Sequence, residues 1–292
     1  MPELPEVEAL VRLLDSRTRQ RRVVRVELGS FAALKTVQPS ITELLGRQIQ
    51  GWQRRGKYLC LDAEQFWMVV HLGRAGWARW YQRLPETRIR PGRSPIALRL
   101  GLAVREGEKD SPGLDLTEAG REKRLSIWVV NDPLQIPAVA NLGPDPLDPA
   151  LTTERLGELL AKAPGTIKSA LSNQSMLAGV GNAYSDEVLH AARLSPFKSA
   201  RSLSTSELEA LHAALVDTLG DAVGLAAALD ADQLKDAKRS AMQVHGRAGE
   251  VCPSCGDTVR EVAYASRSLQ YCPTCQTGGK ALADRRLSRL LR

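Results

Sequence analysis

The chain has 292 residues, with 40 Lys and Arg against 33 Asp and Glu, a formal net charge of +7 and a pI near 9.3. That length accommodates two domains with separate cores, and a basic balance draws phosphate polymers in a salt-sensitive, sequence-independent way. No apolar run of transmembrane length is expected, and the acidic start lacks the basic leader and apolar core of a secretory signal, which sets aside membrane insertion and export in favour of a cytoplasmic, nucleoid-associated protein of bacterial type.

The chain opens Met1-Pro2-Glu3-Leu4-Pro5-Glu6-Val7-Glu8. A small second residue permits removal of Met1, and Pro2 then presents a secondary amine. An α-amino group titrates near ~8, so part of it is uncharged and nucleophilic at neutral pH. Attack on an aldehyde-like carbon gives an iminium that cannot lose an N–H and so serves as an electron sink. A helix starting here gathers Glu3 and Glu6 at its N-terminal end, where carboxylates are favoured. The same residues also spell an ordinary capped amphipathic helix, with Leu4, Val7, Leu10, Val11 and Leu14 facing inward. On these residues alone both readings stand.

From about residue 22 to 140 short β-rich runs dominate, at 23–28, 58–61, 67–72, 96–100 and 125–130, several alternating apolar with polar residues as half-buried strands do. Residues 84–94 and 104–123 carry Pro, Gly and many charges and are predicted loops or hairpin ends. Cys60 lies in the apolar run Tyr58-Leu59-Cys60-Leu61, the setting of an inert core cysteine. Trp67, Trp77 and Trp80 are close in sequence; they pack the core or stack on bases, with core packing the default. The context Val70-His71-Leu72 favours a structural or phosphate-contacting histidine over a catalytic or metal-binding one. Pro144, Pro146 and Pro149 mark a linker over 141–151, and residues 152–247 follow a helical, Ala/Leu-rich period.

Cys252-Pro-Ser-Cys255 and Cys272-Pro-Thr-Cys275 form C-x2-C-x16-C-x2-C and use four of the five cysteines. This is the spacing of a four-thiolate zinc site built on two knuckles joined by a hairpin. Two disulfides would need an oxidising compartment, and a redox Cys-x-x-Cys normally occurs singly. One structural Zn2+ is therefore expected, its four thiolates leaving no position for water.

Together these segments resemble the formamidopyrimidine-DNA glycosylase/endonuclease VIII family, and the start PELPEVE is closer to the formamidopyrimidine glycosylase branch. Gly56-Lys57-Tyr58-Leu59 is similar to the family's strand lysine. His71-Leu72-Gly73-Arg74-Ala75-Gly76 is similar to its His-Leu-Gly-Met-Ser/Thr-Gly segment. Asn141 to Leu147 is similar to the interdomain link, and Gly179-Val180-Gly181-Asn182-Ala183-Tyr184 to the turn of the helix–two-turns–helix motif. Arg267, five residues before Cys272, stands where the family keeps its finger arginine.

The resemblance implies an α+β multidomain fold: an N-terminal helix with a two-layer β-sandwich (1–140), a linker (141–151), a helix–two-turns–helix DNA-binding domain (152–247), a zinc-finger β-hairpin (248–280) and a basic tail (281–292). It implies a monomer acting on damaged double-stranded DNA, with no membrane partner. It implies that the damaged base is extruded, that the Pro2 nitrogen attacks C1′ while Glu3 protonates the sugar ring oxygen, and that β- and δ-elimination follow from a Schiff base. Glu6 would orient or relay protons near the amine, and Lys57 would hold the neighbouring phosphate. His71, Lys168, Asn182 and Arg267 would contact DNA.

Two departures bear on specificity. Arg74 stands where the family has a void-filling Met, and Asp132-Pro133-Leu134-Gln135-Ile136-Pro137 stands where it has Asp-Pro-Arg-Arg-Phe-Gly. Leu134 cannot donate to an orphan base, Ile136 can still wedge, and Arg74 is the candidate replacement donor. The region 217–242, a flexible loop over 8-oxoguanine in that branch, is short here and more helical than loop-like. Oxidised purines lead as substrates; oxidised pyrimidines, abasic sites and a non-catalytic lesion-binding protein are the alternatives.

Overall fold

The computed structural model describes every residue except 93, 120, 121, 265–267 and 283–292. The chain divides into two units, residues 1–141 with 226–234, and residues 142–225 with 235–292.

The first unit starts with helix α1 (Leu4–Thr18). Two antiparallel four-stranded sheets follow. One has the order β1 (Val23–Leu28), β6 (Ile96–Leu102), β7 (Gly113–Glu118), β5 (Gly76–Tyr81). The other has the order β2 (Gly51–Arg55), β3 (Tyr58–Ala63), β4 (Phe66–His71), β8 (Ser126–Val130), and a short helix α2 (Pro137–Ala140) comes after it. Alternation along the strands turns Leu59, Leu61, Met68, Val70, Ile127 and Val129 of the second sheet, and Leu98, Leu100, Leu114 and Leu116 of the first, into one core with Leu10 and Leu14 of α1. The predicted sandwich and N-terminal helix are thus present.

Three strands escape the sequence reading. β2 reads Gly-Trp-Gln-Arg-Arg and β5 Gly-Trp-Ala-Arg-Trp-Tyr, so charge obscures their alternation. β7 lies within the predicted loop 104–123: Leu114 and Leu116 face the core, and the Asp between them, on the other face of the sheet, interrupts the apolar run. Asp115 is fully buried there and takes a bidentate ion pair from Arg99 of β6, at 2.7 and 2.8 Å. The segment 226–234 also belongs to this unit: Ala226 and Leu234 join its core, and Trp77 Nε1 donates to the Ala231 carbonyl at 2.9 Å. Trp77 and Trp80 pack in or against that core, and burial pushes the Cys60 thiol up to about 12, leaving it a protonated core side chain.

The second unit holds α3 (Thr153–Lys162), α4 (Ile167–Ser172), α5 (Asn182–Ala191), most of α6 (Thr205–Ala227) and α7 (Leu234–Ala241), then a hairpin of β9 (Arg260–Ala263) and β10 (Ser268–Tyr271), and α8 (Pro273–Thr277). α6 corrects one expectation: it is long and apolar enough, by length and composition, to cross a membrane. Asp217 and Asp221 punctuate its Ala/Leu-rich sequence and hide the run. Leu211, Leu215, Leu219 and Val223, four apart, form its buried stripe.

Candidate active site and metal centre

The chain start resolves into a reciprocal capping box. Glu3 is the N-cap of α1 and its carboxylate accepts the Glu6 backbone N–H, while Glu6 accepts the Glu3 N–H at 2.8 Å. Glu3 and Glu6 are only 2% and 3% exposed, and Pro2 is buried. The cap fixes a buried carboxylate one residue after Pro2, at the positive end of a helix. Glu8 of α1 meets Arg54 of β2 at 2.8 Å, and Asp15 accepts the Trp52 N–H at 2.8 Å. Followed back to its start, α1 thus runs toward the loop that ends β2, which carries residues 2–6 to that end of the sheet.

That loop is Gly56-Lys57, the two-residue turn between β2 and β3. Gly56 takes φ +56°, as the first position of such a hairpin turn demands. Lys57, expected on a strand, is a turn residue, and is nevertheless only 6% exposed. Tyr58, which follows it, pairs across strands with His71, their ring centroids 5.0 Å apart. Burial, then the nearby Lys57 charge, push the His71 pKa down to about 4. Its Nδ1 accepts the Gly73 N–H at 3.2 Å. A neutral ring bonded in this way carries its proton on Nε2, so His71 is a hydrogen-bond donor and not a cation at neutral pH.

The turn after β4 presents Arg74 with its side chain exposed and the Glu122 carboxylate 4.0 Å away. Gly73 shapes that turn with φ +61°, and a Cβ there would come within 2.8 Å of the Arg124 carbonyl carbon. After β8, residues Pro133–Gln135 form one 3-10 turn in which the Asp132 carboxylate accepts the Leu134 N–H at 2.8 Å. Leu134 stands out at the tip, 53% exposed, whereas Ile136 is turned inward and 3% exposed. Ile136 as a surface wedge is thus corrected: at the start of α2 it is a core side chain, and Leu134 is the apolar group on display.

In the second unit, Gln174 props the turn before α5. Its side chain donates to the Val180 carbonyl at 2.7 Å and accepts the Gly179 N–H at 3.0 Å, with Gly179 at φ +91°. Asn182 begins α5, and its Nδ2 donates to the Ser268 carbonyl of β10 at 2.8 Å. Lys168 corrects another expectation. It is buried, and its Nζ donates to the Asn182 carbonyl (3.1 Å), Ser185 Oγ (2.8 Å) and Asp186 Oδ1 (2.6 Å). A lysine held in this way anchors the turn from inside. Asp186 Oδ2 also pairs with His245 Nδ1 at 2.7 Å, and Glu187 accepts the backbone N–H groups of residues 243, 244 and 245. The sequence reading missed this pair; its signal is two adjacent acids inside a helix whose neighbours Tyr184, Val188 and Leu189 are core residues. Arg267 lies outside the described residues.

The four cysteines converge. Their sulfurs all lie within 4.8 Å of one another, with Cys252 to Cys275 at 3.9 Å and Cys255 to Cys272 at 3.3 Å. A disulfide needs about 2.05 Å, whereas a tetrahedron with Zn–S bonds of ~2.3 Å has edges of about 3.8 Å. Asp257 of one knuckle accepts from Thr274 N and Oγ1 of the other, at 3.2 and 2.8 Å, locking the two together. The donor set fits one structural zinc held by Cys252, Cys255, Cys272 and Cys275.

Comparison with known proteins adds to this geometry. The sequence profile of the formamidopyrimidine-DNA glycosylase N-terminal domain matches residues 1–110, that of the formamidopyrimidine-DNA glycosylase H2TH domain residues 142–232, and that of a zinc finger found in FPG and IleRS residues 249–278. A formamidopyrimidine-DNA glycosylase of Symbiobacterium thermophilum is 36% identical over 298 residues, covering 98% of this chain and 93% of that protein. An uncharacterized formamidopyrimidine-DNA glycosylase-like protein of Mycobacterium tuberculosis is 56% identical over 151 residues, 52% of this chain and 94% of its own. The Lactococcus lactis formamidopyrimidine-DNA glycosylase, solved non-covalently bound to DNA containing an AP site, superposes with a TM-score of 0.80 at 28% identity, over 94% of this chain and 99% of that one.

Proposed function

Because this chain belongs to the formamidopyrimidine-DNA glycosylase family, we propose that it is a bifunctional DNA glycosylase and AP lyase that excises oxidised bases from duplex DNA. The observation that carries this reading is the buried Glu3 carboxylate capping α1 directly beside Pro2. After Met1 is removed, the Pro2 lone pair forms a bond to C1′ and the base leaves with the glycosidic electron pair. The Glu3 carboxylate takes the proton that the Pro2 nitrogen sheds once bonded to C1′ and delivers it to the ring oxygen as the C1′–O bond breaks, and the iminium so formed on Pro2 accepts electrons as β- and then δ-elimination cut the strand. Glu6 fixes Glu3 in this account, and Lys57 and His71 take the phosphate beside the lesion, the first as a cation and the second as a neutral donor. Residues 1–140 with 226–234 are the catalytic part, and residues 152–225 with 235–280 the DNA-holding part. The protein acts as a monomer on chromosomal DNA in the cytoplasm.

Oxidised purines are the proposed first substrates, by the branch signature at the start. Leu134 favours a second reading for specificity, in which oxidised pyrimidines or abasic sites are the main substrates. An exposed apolar tip can unstack a base step but cannot donate to the orphan base, so discrimination of the opposite base falls to Arg74. Excision is to be measured on duplexes carrying 8-oxoguanine, a formamidopyrimidine, an oxidised pyrimidine or an abasic site opposite each base. The proposal expects purine lesions to be cut fastest, and Arg74→Ala to flatten the dependence on the opposite base. Faster cutting of pyrimidine lesions selects the second reading, binding without cutting of any substrate overturns the enzyme, and an unchanged Arg74→Ala profile removes the donor role.

A further inference from the structure

A zinc held by four thiolates is a net negative centre, and such centres are steadied by hydrogen bonds donated to the sulfurs. Two of the sulfurs draw on their own knuckles: Cys255 receives a backbone N–H from Asp257, and Cys272 one from Cys275. Cys252 is the most deeply set pair member on the first knuckle, fully enclosed against Val244 and Val259. Its sulfur lies 3.3 Å from Nε2 of His190, and His190 is itself only 6% exposed. His190 stands outside the group of four side chains whose ligand atoms are mutually within 4.8 Å, so it is a partner of a ligand and not a fifth ligand.

We propose that His190 is a positioning residue of the zinc centre, donating its Nε2–H to the Cys252 thiolate. A zinc-bound thiolate has no proton to give, so the imidazole must be the donor. The placement has a consequence for the fold. His190 ends the same helix α5 that Asn182 begins, and Gln276 beside the second knuckle donates to the Leu194 carbonyl at 2.9 Å. The zinc centre is thereby fastened to the helix whose first turn is tied to β10 through Asn182.

The test compares the full-length zinc-loaded protein with H190Q, whose amide nitrogen can reach the same donor position, and with H190F and H190L, which fill the space without a donor. Zinc transfer to a chromophoric chelator is timed, and the thiolate-to-metal charge-transfer band is recorded after Co2+ substitution. The expected result is zinc release at least about tenfold faster in H190F and H190L, with H190Q within about threefold of the parent. The Co2+ band should move to longer wavelength in the two apolar variants only, because a sulfur without its donor gives up electron density more readily. Equal release from all four proteins, or fast release from H190Q as well with superimposable Co2+ bands, overturns the proposal and leaves His190 a packing residue.

Discussion

A carboxylate that is 2% exposed and accepts a backbone N–H is held in one orientation. Glu3→Gln keeps that cap but has no proton to give the sugar oxygen, so its helix should be intact and its excision rate should fall about a hundredfold or more, as for the loss of a general acid; circular dichroism and single-turnover excision measure the two. His71 bears on pH. Its pKa is about 4 in the folded chain against an ordinary 6.5, so between those values the unfolded chain binds a proton that the folded chain does not. Stability is full above pH ~6.5 and falls as the pH drops toward 4, by at most about 3 kcal/mol. His71→Gln should remove that slope from urea unfolding between pH 6.5 and 4; an unchanged slope would place the titrating group elsewhere.

At the level of elements, the Lys168–Asp186 pair of α4 and α5 tests whether the turn before Asn182 is built from inside. Removing one partner strands a buried charge, so Asp186→Asn or Lys168→Met should each cost about 3–5 kcal/mol. Because Lys168 Nζ also supports the Asn182 carbonyl, DNA affinity should fall with stability, and a Lys168→Met protein with full stability and affinity would refute this role. Such pairs were also the hardest to read in advance. The strands β1, β3, β4, β6 and β8 announce themselves by apolar alternation, and the four cysteines by spacing. β7 is hidden by Asp115, a buried acid on the face of the sheet away from the core, paired with Arg99 of the neighbouring strand. Lys168 reads as a DNA-contacting cation until its three acceptors, 14 to 18 residues away, are known. Ile136 and Leu134 are equally apolar in sequence, and only the 3-10 turn decides which faces water. Local pattern reveals elements and metal knuckles; it does not reveal which polar groups meet across the chain.

For the whole molecule, the zinc and the tryptophans allow the units to be followed separately. All five tryptophans, Trp52, Trp67, Trp77, Trp80 and Trp128, lie in the first unit. Stripping the metal should unlock the knuckles and the β9–β10 hairpin, because structural zinc binding is folding free energy. DNA binding should then be lost while tryptophan fluorescence stays native; a fluorescence change in parallel would mean that the first unit depends on the metal. Binding by the intact protein, with its net charge of +7, should weaken steeply as salt rises. The central claim is that the Pro2 nitrogen is the nucleophile, and borohydride trapping on abasic-site DNA tests it most directly. The Met1-processed protein should give a covalent adduct, while Pro2→Gly should give less or a shifted one, and a protein with its N-terminus blocked by a tag should give none. An equally strong adduct from the tagged protein would contradict the account, since its Pro2 nitrogen is an amide.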